Sequence, residues 1–435
     1  MKKIKVPSTS DLVLAAASAT GKVRKVGKVG KPSQTRSASH AASDSAAAAI
    51  STATTAATQV ANSDSTKKPS GDACDRSQTT AHHEAATSSA NRRTATSTHN
   101  SQAGCRSAVA NTPAASPNPA ASLQRIGIPR ALTYYRYGPL WTTFLTELGR
   151  EVVLSRPTDR ATVERGGQLS NDECCLASKI YMGHVDELVG RCDAVFVPCL
   201  DNVGLFRDFC TKFQALPDLV RNTFYEQNLQ VVSCLVNKRF EKRGLRDGML
   251  ELGENLGATP REAKRAWRAA IRAQEAAERE AVAAQQRVLA ARPADGITIL
   301  LAAHPYLAHD PYMGGAVADM AADMGVTLLH TDRFDRKTAL KRSAEFSDTL
   351  PWVVNREIVG AIMALHDKVD GILLVSAFPC GPDSMTDDAI IRCIQGKPIL
   401  NLTIDAQTGT AGLETRIESF VDILRYQKKG GYVHE

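Results

Sequence analysis

Residues 125–132, Arg125-Ile-Gly-Ile-Pro-Arg-Ala-Leu, open the ordered part of the chain and set its pattern. The apolar run is too short for a helix and stops at a proline, so it reads as a buried strand with its exit loop. A helix is predicted from about Pro139 to Leu148, closed by Gly149. A second strand follows at Glu151–Leu154. Thr158-Asp159 can cap a short helix, and Asn171-Asp-Glu opens a longer one through Val189. Ala194-Val-Phe-Val-Pro makes the next strand; a helix near Asp218–Asn228 and the apolar run Leu229–Val236 continue the alternation. Strands and helices of these lengths in alternation predict a parallel sheet covered on both faces.

The stretch Glu241–Arg292 differs in kind, being rich in Ala, Glu, Arg and Gln. Thr259-Pro260 offers an N-cap and a first-turn proline for a helix of roughly thirty residues. Its apolar positions, among them Ala266, Trp267, Ala270 and Ile271, are mostly small, which favours packing onto its own chain over a coiled-coil partner. The β/α rhythm then restarts, with strands Ile297–Ala303, Val326–His330, Gly371–Ser376 and Pro398–Ile404. Helices are predicted at Tyr312–Met324, near Pro351–His366, at Asp383–Ile394 and at Leu413–Tyr426. The expected fold class is therefore α/β: two Rossmann-like lobes with parallel sheets, joined by a long helical segment. The expected division is a first lobe at 123–240, a helical brace at 241–294, a second lobe at 295–412 and a C-terminal helix and tail at 413–435.

Residues 1–122 stand apart as a low-complexity tail. From about Ser33 to Ser122 the chain is almost entirely Ala, Ser, Thr, Asn, Gln and Pro, with no Phe, Trp or Tyr. Such a composition cannot bury enough apolar surface to offset the entropy of ordering, so disorder is expected. Cys74, Cys105, His82 and His83 fall in it and have no scaffold to gather them. The tail also carries the charge imbalance: 15 Lys and Arg against 6 Asp and Glu in residues 1–122, and 38 against 40 in residues 123–435. The net charge of +7 thus belongs to the tail, and the body has no bulk electrostatic reason to seek nucleic acid. No run of 18 apolar residues occurs, so no membrane span is expected. The N-terminus makes a poor secretion signal, its apolar stretch being short and starting with Asp11. Ten cysteines at irregular spacing fit reduced thiols in a cytoplasm better than a disulfide framework.

In open parallel sheets, ligands bind in the crevice at the carboxyl ends of the strands. Four cysteines pass that test of position: Cys175 at a helix start, Cys199 and Cys210 after the strand at 194–198, and Cys380 after the strand at 371–376. Helix N-termini and loops with free N–H groups favour thiolate at such places. Cys192, Cys234 and Cys393 fall inside or beside predicted elements, where a cysteine is most often a small buried hydrophobe. No CxxC pair exists, so spacing alone leaves a metal site undecided.

Several motifs bear a family resemblance. They are Ile126-Gly-Ile-Pro-Arg-Ala-Leu-Thr-Tyr-Tyr-Arg-Tyr-Gly-Pro-Leu-Trp, Asp172-Glu-Cys-Cys-Leu-Ala-Ser-Lys-Ile-Tyr-Met-Gly-His-Val, Cys210-Thr-Lys-Phe-Gln-Ala-Leu-Pro-Asp, His304-Pro-Tyr-Leu with Asp310-Pro-Tyr, Cys380-Gly-Pro-Asp-Ser, and Asp405-Ala-Gln-Thr-Gly-Thr-Ala-Gly. Over about residues 124–426 the chain resembles the acyl-CoA dehydratase activase-related family, itself similar to subunits of 2-hydroxyacyl-CoA dehydratases and benzoyl-CoA reductases. The resemblance implies a [4Fe–4S] cluster between two lobes, held by Cys175, Cys210 and Cys380 with one iron left open. Cys174 can exchange with Cys175 as ligand, and Cys199 matches no family motif.

In the dehydratases it resembles, an ATP-driven activase injects a low-potential electron into the cluster, which passes it to a 2-hydroxyacyl-CoA thioester. The ketyl radical then expels hydroxide. This chain has no nucleotide-binding loop of its own, so an activase or dehydratase subunit is the expected partner, an acyl-CoA the expected substrate, and a dimer an admissible assembly. The alternatives are a non-catalytic electron-transfer or accessory subunit, or a homologue binding Zn²⁺ through the same thiolates. His304, Tyr306 and Asp310 are candidates for the cleft beside the open iron, or for loop capping. Arg130 and Tyr135 are candidates for substrate contact or for tying down the first loop. Asp172 and Glu173 read as helix-opening acids, His184 as structural, and Lys179 as a cation offsetting cluster charge. Asp405-Ala-Gln-Thr-Gly departs from a family pattern that more often reads Asp-Glu-His-Thr-Gly.

Overall fold

The computed structural model describes residues 122–407 and 410–431, all within one compact unit. The tail expected over residues 1–122, with Cys74, Cys105, His82 and His83, lies up to residue 121 outside the described residues. The first sheet is built from β1 (Arg125–Ile128), β2 (Glu151–Leu154), β3 (Ala194–Phe196) and β5 (Val231–Val232). All are parallel, in the order β2-β1-β3-β5. Beyond Pro198, β3 continues as β4 (Cys199–Asn202), and β5 as β6 (Leu235–Asn237), forming a parallel two-stranded extension. The second sheet is built from β7 (Thr298–Ala302), β8 (Thr327–His330), β9 (Gly371–Ala377) and β10 (Ile399–Ile404), again all parallel, in the order β10-β9-β7-β8. Counted within each lobe, both orders are 2-1-3-4, so each sheet reverses direction between its first and third strands. That reversal opens the crevice where such folds bind ligands.

Helices cover the sheets: α1 (Tyr134–Glu147), α2 (Arg160–Gln168), α3 (Leu176–Leu188), α4 (Thr211–Thr223), α5 (Leu245–Asn255) and α6 (Pro260–Ala291) come first. In the second lobe α7 (Pro305–Ala308), α8 (Ala316–Asp323), α9 (Arg336–Phe346), α10 (Val353–Leu365), α11 (Gly381–Cys393) and α12 (Thr410–Lys428) follow. Strand alternation sorts the second sheet's side chains. Ile299, Leu301, Leu373 and Val375 enter a core shared with the first lobe, while Leu300, Ala302, Ile372 and Leu374 enter a second core beneath α10 and α11. Gly360 lets α10 lie directly on α9, since a Cβ there would stand 1.8 Å from the Ala339 carbonyl oxygen. No described helix is long and apolar enough to cross a membrane.

Helix α6 begins as expected at Thr259-Pro260, with a capping box in which Thr259 N–H donates to Glu262 Oε2 at 2.8 Å. It packs onto its own chain through Ala263, Ala266 and Ala270, each fully buried. Two buried glutamines on α6 then grip one lobe each. Gln274 accepts from Leu140 N–H (3.2 Å) and donates to the Arg136 carbonyl (2.8 Å). Gln285 accepts from His330 N–H (2.7 Å) and donates to the His330 carbonyl (2.9 Å).

Several boundaries differ from those expected. Helix α1 starts at Tyr134, and Pro139 lies inside it; the Gln274 carboxamide engages backbone groups on both sides of that proline. Helix α3 starts only at Leu176, because Asn171-Asp-Glu forms a turn in which Cys174 N–H bonds the Asn171 carbonyl at 3.0 Å. Helix α4 starts at Thr211, earlier than expected, with Pro217 inside it. The expected helix over 312–324 is split, since Asp310 accepts from the N–H groups of Tyr312 (2.9 Å) and Met313 (3.2 Å) and caps a tight turn at Pro311–Gly315 before α8. Helix α9 was not anticipated, although its N-cap Asp335, accepting from Thr338 N–H at 2.8 Å, is a local signal.

Candidate functional site

Three cysteines stand at the same position in three helices. Cys175 is the N-cap of α3, Cys210 of α4 and Cys380 of α11, and all three line one cavity of about 40 Å³. At each N-cap the first backbone N–H groups of the following helix have no partner within that helix and point back toward the cap. Tertiary hydrogen bonds hold the three segments together. Leu176 N–H donates to the Phe378 carbonyl (2.9 Å), tying the start of α3 to the loop before Cys380. Asp208 N–H donates to the Pro351 carbonyl (3.0 Å) and Val353 N–H to the Asp208 carbonyl (2.9 Å), tying the segment before Cys210 to the start of α10.

The walls are mostly apolar, chiefly Phe209, Phe213, Tyr306, Trp352 and Val354, with Ser178, Asp208, Lys212, His304 and Asn355 as polar members. A volume of this size admits a compact inorganic group or a few waters, not a whole acyl-CoA. Helix-start position at Cys175 and loop position at Cys199, Cys210 and Cys380 predict thiolate, but at Cys175, Cys199 and Cys380 burial wins instead. Desolvation pushes the Cys175 and Cys380 thiols up, Asp383 adding to both and most strongly at Cys380, and burial raises Cys199 as well. Without a cation in the cavity these sulfurs keep their protons, so a metal must displace them.

Cys174 faces elsewhere. It is buried and accepts from Lys212 Nζ at 3.2 Å, while Cys175 faces the cavity. Lys212, rather than the expected Lys179, is the lysine on the cavity; Lys179 bonds the Asp172 carbonyl at 3.1 Å. Cys199 donates to the Gln214 carbonyl (3.0 Å) and does not line the cavity. Cys192 and Cys234 are buried in the core, burial pushing the latter up to about 12, and Cys393 packs at the edge of the second core.

His304 and Tyr306 follow β7 and both line the cavity, their rings stacked at 4.9 Å. His304 Nε2 meets Asp383 Oδ1 at 2.8 Å, and Asn355 Nδ2 donates to the same oxygen at 2.9 Å. Burial opposes ionisation of Asp383, yet His304 beside it and these hydrogen bonds hold it below the ordinary carboxylate range. An ionised Asp383 can only accept, which places a proton on His304 Nε2; the buried Nδ1 has no hydrogen-bond partner among the described residues. Burial also pushes the Tyr306 hydroxyl well up, with Asp383 and the three cysteines reinforcing it.

Asp310, a candidate for the cleft or for loop capping, does not line this cavity and caps the turn at Pro311–Gly315. It is fully buried and receives hydrogen bonds from Thr158 and, at 3.3 Å, from Tyr135, so it ties the turn after α7 to the start of α1 and to the loop between β2 and α2. His184 belongs to that network through Thr158 (2.9 Å) and is pushed down to about 4 by burial. Arg130 N–H bonds Ser155 Oγ at 2.8 Å. In the loop Asp405-Ala-Gln, Asp405 accepts from Gln407 N–H at 2.7 Å, and Thr408 and Gly409 lie outside the described residues.

With this geometry in view, residues 125–334 match the family model described as a CoA enzyme activase uncharacterised domain. That stretch is similar to this domain. The match supports the resemblance to the acyl-CoA dehydratase activase-related family; Cys175, Cys210, His304 and Tyr306 lie within the matched stretch, and Cys380 lies beyond its end. No curated protein matches the chain. Among solved structures, the SBP FpvC of P. aeruginosa in complex with Ni²⁺ is 14% identical, covering 72% of this chain and 99% of its own, with a TM-score of 0.21. A periplasmic metal binding protein of Candidatus Liberibacter asiaticus is 12% identical over 69% of this chain and 98% of its own, with a TM-score of 0.21. A putative sugar binding protein of Salmonella typhimurium LT2 is 12% identical over 71% and 87%, with a TM-score of 0.19. At such scores these likenesses carry no weight for fold or function.

Proposed function

We propose that Cys175, Cys210 and Cys380 hold a [4Fe–4S] cluster, and that the activase-domain chain works in an acyl-CoA dehydratase type of system, using or relaying a low-potential electron from a separate ATP-dependent activase. The observation that carries this reading is the gathering of three N-cap cysteines from three distant segments on one cavity. Bound there, such a cluster supplies single electrons, and three protein ligands leave one iron for water, a small anion or a substrate oxygen.

The residues of the chain do the rest. The three helix starts direct N–H groups toward sulfur and favour its anionic form once a cation displaces the protons. Lys212 adds a positive charge, and Phe209, Phe213, Tyr306 and Trp352 keep water away. His304, oriented by Asp383, keeps an unpartnered Nδ1 for hydrogen bonding to a bound group or substrate. Metal and sulfide analysis with EPR on protein purified without oxygen tests the reading. The expected result is roughly four irons per chain and a reducible paramagnetic signal; zinc without iron would overturn it. Incubation with a 2-hydroxyacyl-CoA, activase, ATP and reductant then separates a dehydratase from an accessory electron carrier.

A further inference from the structure

Away from the cysteine cavity, three potential ligands converge at the carboxyl end of β8. His309 follows α7, His330 is the last residue of β8, and Asp332 lies in the tight turn Thr331–Arg333. Their ligand atoms all lie within 4.8 Å of one another. His309 Nε2 and Asp332 Oδ2 are 2.8 Å apart, and the two imidazoles stack at 5.2 Å. A plain histidine–aspartate hydrogen bond accounts for only part of this. It leaves His330 Nδ1 and Asp332 Oδ1 buried without partners, and His330 is only 9% exposed. Buried polar atoms are normally satisfied, so two orphans in one cluster call for a missing partner.

We propose that His309, His330 and Asp332 form a second metal site, an open three-ligand site for a divalent first-row transition metal. Two imidazoles and one carboxylate suit zinc, iron, cobalt or nickel rather than magnesium or calcium, which prefer all-oxygen shells. The second-sheet histidine is already positioned, because Gln285 fixes both its N–H and its carbonyl. Its ring is held in place with Nδ1 left unpartnered within the cluster. The His309 and His330 rings beside Asp332 overcome its burial and hold its carboxyl below the ordinary range. His309 and Asp332 also line a cleft of about 790 Å³ between α1, α6 and the turn after β8, together with Arg333 and Lys337. The remaining coordination positions face this open cleft, lined by both basic and acidic side chains, where water or a small anion completes the shell. This cleft shares no lining residue with the cysteine cavity.

The test is a Co²⁺ titration of the chelator-treated full chain carrying His82→Ala and His83→Ala, read by equilibrium dialysis and visible absorption. Cobalt on nitrogen and oxygen ligands shows ligand-field bands without the thiolate charge-transfer band that cobalt on cysteines would give, so the two sites are told apart in one spectrum. We expect one equivalent bound in the nitrogen and oxygen mode, weakened by about tenfold or more in His330→Gln and in Asp332→Asn. Should His330→Gln fail to fold, the half-buried His309→Ala gives the same reading. Absence of the nitrogen and oxygen mode, or its persistence undiminished in a folded His330→Gln or His309→Ala, overturns the proposal. The outcome is independent of iron at the cysteine cavity.

Discussion

Leu176 N–H donates to the carbonyl of Phe378 across 2.9 Å, and this bond joins the residue after Cys175 to the loop that ends on Cys380. Main-chain atoms alone make it. The matching pair of bonds between Asp208 and the segment Pro351–Val353 does the same for Cys210. The three sulfurs are therefore positioned by backbone, and replacing one should leave the framework standing.

From this follows a prediction about metal content. Cys175→Ser, Cys210→Ser and Cys380→Ser should each fold and each lose most of the iron found in oxygen-free preparations. Cys393→Ser and Cys199→Ser, which remove sulfurs outside the cavity, should keep it. Iron per chain alongside circular dichroism decides the matter; equal iron in Cys380→Ser and Cys393→Ser would count against the ligand assignment.

The lobes are also joined by charge. Arg136 on α1 pairs with Glu357 on α10 through two hydrogen bonds, one of 2.7 Å, and both side chains are more than nine-tenths buried. Removing one partner strands the other in a low-dielectric interior, so Glu357→Gln should cost about 3–5 kcal/mol in urea unfolding. The double replacement Arg136→Met with Glu357→Leu should recover most of that loss, because no buried charge is left over.

Gln274 offers a different kind of test. Gln274→Leu keeps the volume and strips the partners from Leu140 N–H and the Arg136 carbonyl beside Pro139, so we expect a loss of about 1–3 kcal/mol in thermal or chemical unfolding. Gln285→Leu should show a similar loss, and, by loosening His330, a weaker cobalt site.

Asp387 makes a pH prediction. Burial, reinforced by Asp383 one turn away, pushes its carboxyl up to about 8. The folded protein then holds a proton that the unfolded chain releases near pH 4, so stability declines as pH rises from about 4 to about 8. Asp387→Asn should remove this slope and stabilise the protein at pH 8.5 by on the order of 1–3 kcal/mol. Unfolding midpoints across that range, for both proteins, measure it; parallel curves would refute it.

The parallel α/β plan was legible because its signals are short-range. The apolar runs at 126–128, 194–197, 299–303 and 371–376 name their strands, and Thr259-Pro260 announces α6 within one turn. At Pro139 a distant partner had intervened, the carboxamide of Gln274; the boundaries before α3 and α8 turned on local bonds instead, Cys174 N–H to the Asn171 carbonyl and Tyr312 N–H to the Asp310 carboxylate. Placement of the site was partly legible too, since cysteines at strand exits and helix starts are recognisable one by one. Their shared cavity was not, nor was which of the adjacent pair lines it: Cys175 does, while Cys174 accepts from Lys212.

What the sequence determined by itself was the succession of elements and the residues poised at their ends, because periodicity, capping and turn chemistry act between neighbours a few positions apart. Only the tertiary structure decided which of those ends meet. Cys175 and Cys380, or His309 and His330, become neighbours through sheet order, helix packing and buried hydrogen bonds between remote segments. Those contacts depend on how two lobes close over a common core, and no local stretch of chain encodes that closure.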